Sequence, residues 1–178
     1  MTVAATTELE AINIMLAAIG EAPVNSLIGT LPVDVKLAQS TLTEFNKEIQ
    51  SEGWSFNTEI DVTLTRDASN QIALSQDILR IDANIHQHPT IDPIQRGLKL
   101  YDRLNNKFEF DEDLICTVIY LRTFEEIPEP ARRYITIKAA RVFVDRLVTD
   151  DGLRTYTGQD ETRARAILME TDLANGDH

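Results

Sequence analysis

Cysteine is almost absent from this chain of 178 residues: Cys116 stands alone, so no internal disulfide can form and a reducing cytosol is the expected site of synthesis. Long apolar runs are missing as well. The longest, Ile14–Ile19 and Ile115–Leu121, fall far short of the ~20 residues a membrane span needs. Met1–Thr7 lacks the positive flank and apolar stretch of a secretion signal. Seven glycines and six prolines are too few for a low-complexity chain, and no internal repeat is visible. Positive charge is scarce: 17 Lys and Arg face 29 Asp and Glu, a net charge of -12. That balance argues against nonspecific nucleic-acid binding, which needs clustered cations. It argues equally against a peripheral protein on an anionic membrane.

What is present is ordinary for a soluble globular chain, with 43% hydrophobic and 26% charged residues. A chain of this length buries roughly 70% of its unfolded surface, so one core suffices without staples. Leu9, Ile12, Leu16 and Ile19 recur at helical spacing, with Thr7 and Glu10 in place for a capping box. Gly20 stands where a left-handed cap belongs, and Pro23 blocks continuation. A second helix is expected from about Pro32–Asp34 to Glu52, with the stripe Ala38, Leu42, Phe45 and Ile49, and Gly53 at its end.

The period then changes to two. Ile60, Val62 and Leu64 alternate with polar residues, as on a half-buried strand. Short strands are further expected at Ile72–Leu74, Leu79–Ile85, Leu98–Tyr101, Lys107–Phe110 and Leu114–Leu121. Turn chemistry at Pro89, Pro93, Gly97 and Asn105–Asn106 separates them. Helix resumes with Pro128 and Pro130 in its first turn and runs to about Val148. One apolar stripe there is Ala131, Ile135, Ala139, Val142 and Phe143; a second is Ile137, Ala140, Val144 and Val148. A last helix begins near Thr157 or Gly158 and ends before Gly176, with Ala164, Ile167 and Leu168 inward. Glu161 and Arg165 on it are spaced for an ion pair. The fold expected is α+β: a four-helix bundle built from both chain ends, residues 1–56 and 123–178, with an inserted antiparallel β module at 57–122.

Few residues suggest chemistry. His86 and His88 would share a strand face and could reach one metal, with Asp82 or Asp92 adding a carboxylate, but Pro89 follows at once and a solvated strand end is the favoured reading. Asp111-Glu112-Asp113 reads as a solvated turn, and Glu125, Glu126 and Glu129 as helix-start residues. A carboxylate pair for glycan hydrolysis would need a separation that sequence does not display. No Gly-rich phosphate loop and no Gly-x-Ser-x-Gly elbow occurs, and Cys116 reads as an inert buried thiol. The expectation is therefore no catalytic residue, no metal and no cofactor. Arg132, Arg133, Lys138, Arg141 and Arg146 scatter around the third helix, which favours ion pairing over a DNA-binding line. The second stripe of that helix is either intrachain packing or a contact between protomers. Trp54 and Phe56 read as core rather than as a ligand platform.

The run Glu8-Leu9-Glu10-Ala11-Ile12-Asn13, continuing Leu16-Ala17-Ala18-Ile19-Gly20-Glu21-Ala22-Pro23-Val24-Asn25-Ser26-Leu27, resembles the N-terminus of the tail tubular protein A family. Also similar are Glu48-Ile49-Gln50-Ser51-Glu52-Gly53-Trp54-Ser55-Phe56-Asn57, Tyr101-Asp102-Arg103, and Leu121-Arg122 through Pro128-Glu129 into Arg133-Tyr134-Ile135, Lys138-Ala139 and Arg141. That family is the head-to-tail adaptor, or gatekeeper, of short-tailed bacteriophages (podoviruses). The resemblance implies a virion structural protein with no enzymatic activity, located at the head–tail junction. It implies a dodecameric ring beneath the portal protein, carrying the nozzle, tail tubular protein B, with side fibres near the same junction. Genome DNA would pass through the lumen without specific binding, and no membrane is involved. Within such a ring Ile137, Ala140 and Val144 are expected to pack between protomers. The competing expectation is a carboxylate-dependent cell-wall glycan hydrolase of a phage tail.

Overall fold

A computed structural model describes residues 5–84, 86–147 and 156–176. The elements in chain order are α1 (Glu8–Ala18), α2 (Val33–Gln50), β1 (Thr58–Leu64), β2 (Ile78–Ala83), β3 (Pro93–Arg96), β4 (Lys99–Asp102), β5 (Leu114–Tyr120), α3 (Glu129–Leu147) and α4 (Gly158–Gly176). The fold is α+β, and the chain forms two compact units, residues 1–49 with 123–178 and residues 50–122.

In the helical unit, α1 starts as its sequence dictates. The Thr7 hydroxyl accepts from the Glu10 amide, and the Glu10 carboxylate accepts from the Thr7 amide, which closes the capping box. Gly20, at φ 81°, ends the helix in the left-handed region. Ala11, Ile12, Met15 and Leu16 are buried on α1; Ala38, Leu42, Phe45 and Ile49 are buried on α2. The third helix packs against α1 and α4 and is tied to α2 by charge: Lys138 pairs with Glu48 at 2.9 Å and Arg146 with Glu44 at 2.9 Å. Its apolar surface is broad because it is covered from more than one side. The Thr157 hydroxyl caps α4 by accepting from the Asp160 amide. Expected to be inward on α4, Ile167 is instead 45% exposed, while Ala164 and Leu168 are buried. Val148 of the second stripe lies outside the described residues.

In the β unit, β5 is the central strand of an antiparallel sheet ordered β1-β5-β2, and β3 and β4 form a hairpin. Ile72, Leu74, Leu100, Phe110, Leu114, Cys116 and Val118 form its core. Several expectations change here. The alternation Ile60, Val62, Leu64 is broken by a bulge between Glu59 and Val62, where Asp61 sits at φ 57°. The extra residue reverses the facing of everything before it, so Ile60 is 74% exposed while Val62 and Leu64 pack on the core. Pro93, expected in a turn, begins β3; a proline is tolerated as a first strand residue. Ile72–Leu74 and Lys107–Phe110 contribute isolated bridges in place of full strands. Ile85, at the end of one expected strand, lies outside the described residues.

Candidate functional site

The histidines separate. His86 is exposed on a turn, whereas His88 is 5% exposed, its Nδ1 at 2.8 Å from Glu112 and its Nε2 accepting from the Ile115 amide at 2.9 Å. An accepting Nε2 requires the proton on Nδ1, which then donates to Glu112. His88 therefore ties the turn to β5, and the shared strand face that a metal would need does not form. Among the described residues no group of three or more His, Cys, Asp or Glu is placed to hold a metal ion.

The carboxylates are similarly committed to structure. Asp102 is buried and accepts from the backbone amides of Asp92, Leu104 and Asn105 and from the Asn105 side chain. Burial pushes its pKa up, but these hydrogen bonds outweigh it and hold the carboxyl below its ordinary range. Its neighbours complete the same loop: Arg103 pairs with Asp92 at 2.7 Å, and Tyr101 lies under the Arg96 guanidinium at 3.5 Å. The run Tyr101-Asp102-Arg103 thus builds the end of the β3–β4 hairpin. Asp111 and Glu112, on the adjoining cleft of about 310 Å³, pair with Lys107 and His88.

One carboxylate pair has the electrostatics a hydrolase would use. Glu8 is held above its ordinary range, first by partial burial and then by the charge of Glu125. Its cleft, lined by Leu42, Thr43, Asn46 and Phe124, measures about 100 Å³, well below the roughly 300–1,000 Å³ of ligand pockets. Glu125 accepts from the Glu8 amide at 3.2 Å and so faces the N-terminus of α1, where a carboxylate complements the helix dipole. At this pair the geometry is that of a helix start, not of a substrate cleft. Cys116 is buried, and burial pushes its thiol up to about 11.

Sequence reasoning missed two buried amides at the base of the β unit. Gln50 donates to the Arg122 carbonyl at 2.9 Å and accepts from the Arg122 amide at 2.8 Å. Asn57 donates to the carbonyls of Gln50 and Tyr120 and accepts from the Trp54 amide. Together they clasp the two strands by which the chain enters and leaves this unit. Both sit inside the runs that carried the resemblance, although nothing in their spacing marked them as buried. Gly53 completes the clasp at φ 82°; a Cβ there would lie 2.6 Å from Ile119 Cδ1. Trp54 is buried beside them in the chain.

What is left for function is surface. Of the cations on α3, Lys138, Arg141 and Arg146 are in ion pairs, and Arg132 donates to the carbonyls of Thr6, Glu125 and Ile127. On α4, Glu161 receives Arg141 at 2.7 Å, and Arg165 donates to the Tyr134 hydroxyl at 3.0 Å. The stripe Ile137, Ala140 and Val144 is 3%, 0% and 6% exposed, covered by the chain's own residues because α3 is packed on more than one side. Beside it, Ile137 joins Tyr156, Ala164 and Ile167 in an open groove of about 370 Å³ between α3 and α4. Large apolar side chains also stand in solvent at Ile28, Val33, Met169 and Leu173.

Among the described residues, no helix is long and apolar enough to cross a membrane. No curated protein matches the chain. A family model described as tail tubular protein matches residues 9–178. With its committed side chains, its two units and a match across nearly its whole length, this chain belongs to the tail tubular protein family and is a structural component of a phage tail.

Proposed function

We propose that this tail protein is the head-to-tail adaptor of a short-tailed phage. It forms a dodecameric ring between the portal protein and the nozzle, tail tubular protein B, with fibres attached near the same junction. The observation that carries the reading is the family match over residues 9–178, together with the resemblance of Glu8–Leu27 and Glu48–Asn57 to adaptor sequences. No step of catalysis enters this function; the protein works by binding geometry. Glu125, His88 and Asp102 are taken up by a helix start, a turn and a loop.

In this reading the buried stripe Ile137, Ala140 and Val144 is the packed base of the protomer contact, and the side chains at its rim touch the neighbour. Electron microscopy of the purified chain mixed with portal rings tests the assignment. A ring of added density on the tail side of the portal is expected; density absent there, with the chain found at a fibre or tail tip, overturns it. Purified peptidoglycan should not be cleared by the protein.

The charge of -12 fits the same role. A basic lining would hold DNA through counterion release, whereas an acidic one lets it slide. Asp and Glu should outnumber Lys and Arg on the lumen face, and a basic lumen in the assembled ring would contradict this.

A further inference from the structure

The connection from Ile19 to Pro32 reaches the roughly 12–15-residue length at which loops without secondary structure become uncommon and usually serve a function. Its base is fixed. The Asn13 side chain donates to the Val24 carbonyl at 3.0 Å and accepts from the Val24 amide at 2.8 Å, as a neighbouring strand would. The tip is turned by Ser26, whose hydroxyl accepts from the Ile28 amide at 3.1 Å, and by Gly29 at φ 96°. This ordered loop presents Ile28 at 89% exposure. Holding a large aliphatic side chain in water on a pinned loop loses the benefit of burial until something covers it.

The same unit carries a groove that suits it. Ile137, Ala164 and Ile167 form the apolar part, Tyr156 an aromatic edge, and Arg133 and Arg163 the cationic rim. Asp160 shares the rim with both arginines, and two cations against one carboxylate leave one positive charge in excess. From Glu21 to Asp34 the loop and its flanks carry two carboxylates and no cation. At about 370 Å³ the groove has room for an isoleucine tip and its neighbours.

We propose that the Ile28 loop of one copy of this chain docks in the α3–α4 groove of the next copy. The two surfaces are different patches of one chain, so the contact is head-to-tail, the geometry that generates closed rings. This inference rests on the ring reading above and names the surfaces that would form it. The apolar tip meets the apolar floor, and the carboxylates at the loop's base meet the arginine rim.

Phage tails assembled from an equal mixture of Ile28→Cys and Ile167→Cys chains, treated with a short bismaleimide, should yield cross-linked pairs joining one variant to the other. Cys116 is buried and does not compete. Ile28→Glu should fold with an unchanged melting temperature, because the site is in solvent, yet enter tails at least about tenfold less than the parent chain. Unchanged incorporation of Ile28→Glu overturns the proposal. Tails that hold several copies of the chain yet yield no pair joining Ile28→Cys to Ile167→Cys overturn the loop–groove pairing and leave the ring reading standing. Tails that hold a single copy of the chain overturn both.

Discussion

Asn57 illustrates how one side chain can hold a unit together. Its amide group bridges the carbonyls of Gln50 and Tyr120 and the amide of Trp54, all inside the protein. Water is excluded there, so each bond lost leaves a buried polar group unpaired, at about 1–3 kcal/mol. Gly53, three residues after Gln50, is fixed by a different constraint. A side chain at φ 82° is strained, and its Cβ would press on Ile119 as well. Gly53→Ala should therefore destabilise the protein by about 1–3 kcal/mol, seen as a lower midpoint in urea denaturation. Asp61 offers the opposite case. It occupies the left-handed region at φ 57° within the bulge of β1, with its side chain exposed. Asp61→Gly should relieve that conformation and raise stability by about 0.5–1 kcal/mol, measured in the same experiment.

At the scale of elements, the helix termini were readable because caps are local. Thr7 with Glu10 and Gly20 need only neighbours within a few residues to act. Strands were less legible, since a strand is defined by a partner distant in sequence. The hairpin β3–β4 opens on Pro93 and turns at Gly97, and its short strands show no clear alternation. On α3 the two stripes were visible, but what covers them was not. Ala140 is 0% exposed, so Ala140→Glu would place a carboxylate where it has neither space nor water. That substitution should unfold the helical unit, with loss of helical circular dichroism at temperatures the parent chain survives. Unimpaired folding of this variant would show that the stripe is less tightly covered than its burial indicates.

For the whole molecule, acid is the informative variable. Asp102, Asp67, Asp160 and Glu44 all have carboxyls held below their ordinary range, Asp102 and Asp67 largely through backbone and side-chain hydrogen bonds that oppose burial. A depressed folded-state pKa contributes stability above the unfolded-state value, about 4, that is lost as pH falls through the folded-state value. Glu8 runs the other way: its raised carboxyl is favoured when protonated, so its contribution is present at low pH and is lost as pH rises. Glu44, Asp67 and Asp160 are exposed and screened by water, so the buried Asp102 carries most of this dependence, and stability should decline as pH drops below about 4. Asp102→Asn should flatten that dependence while lowering stability at neutral pH, since the amide cannot replace a carboxylate that accepts from several donors. A pH series of thermal melts on both chains measures it.

The sequence by itself determined the helices and their caps, the α+β class, the buried state of Cys116 and, through its resemblance, the family. Each rests on local spacing or on residue order, and both are written in the chain. Tertiary structure alone decided which side chains of a periodic stripe meet a neighbour. It buried Ile137 and left Ile167 at the rim, turned Ile60 outward through a bulge, and drew His88 inward while His86 stayed in solvent. Periodicity states which residues share a face. Only packing states what that face is against, because burial depends on elements far away along the chain.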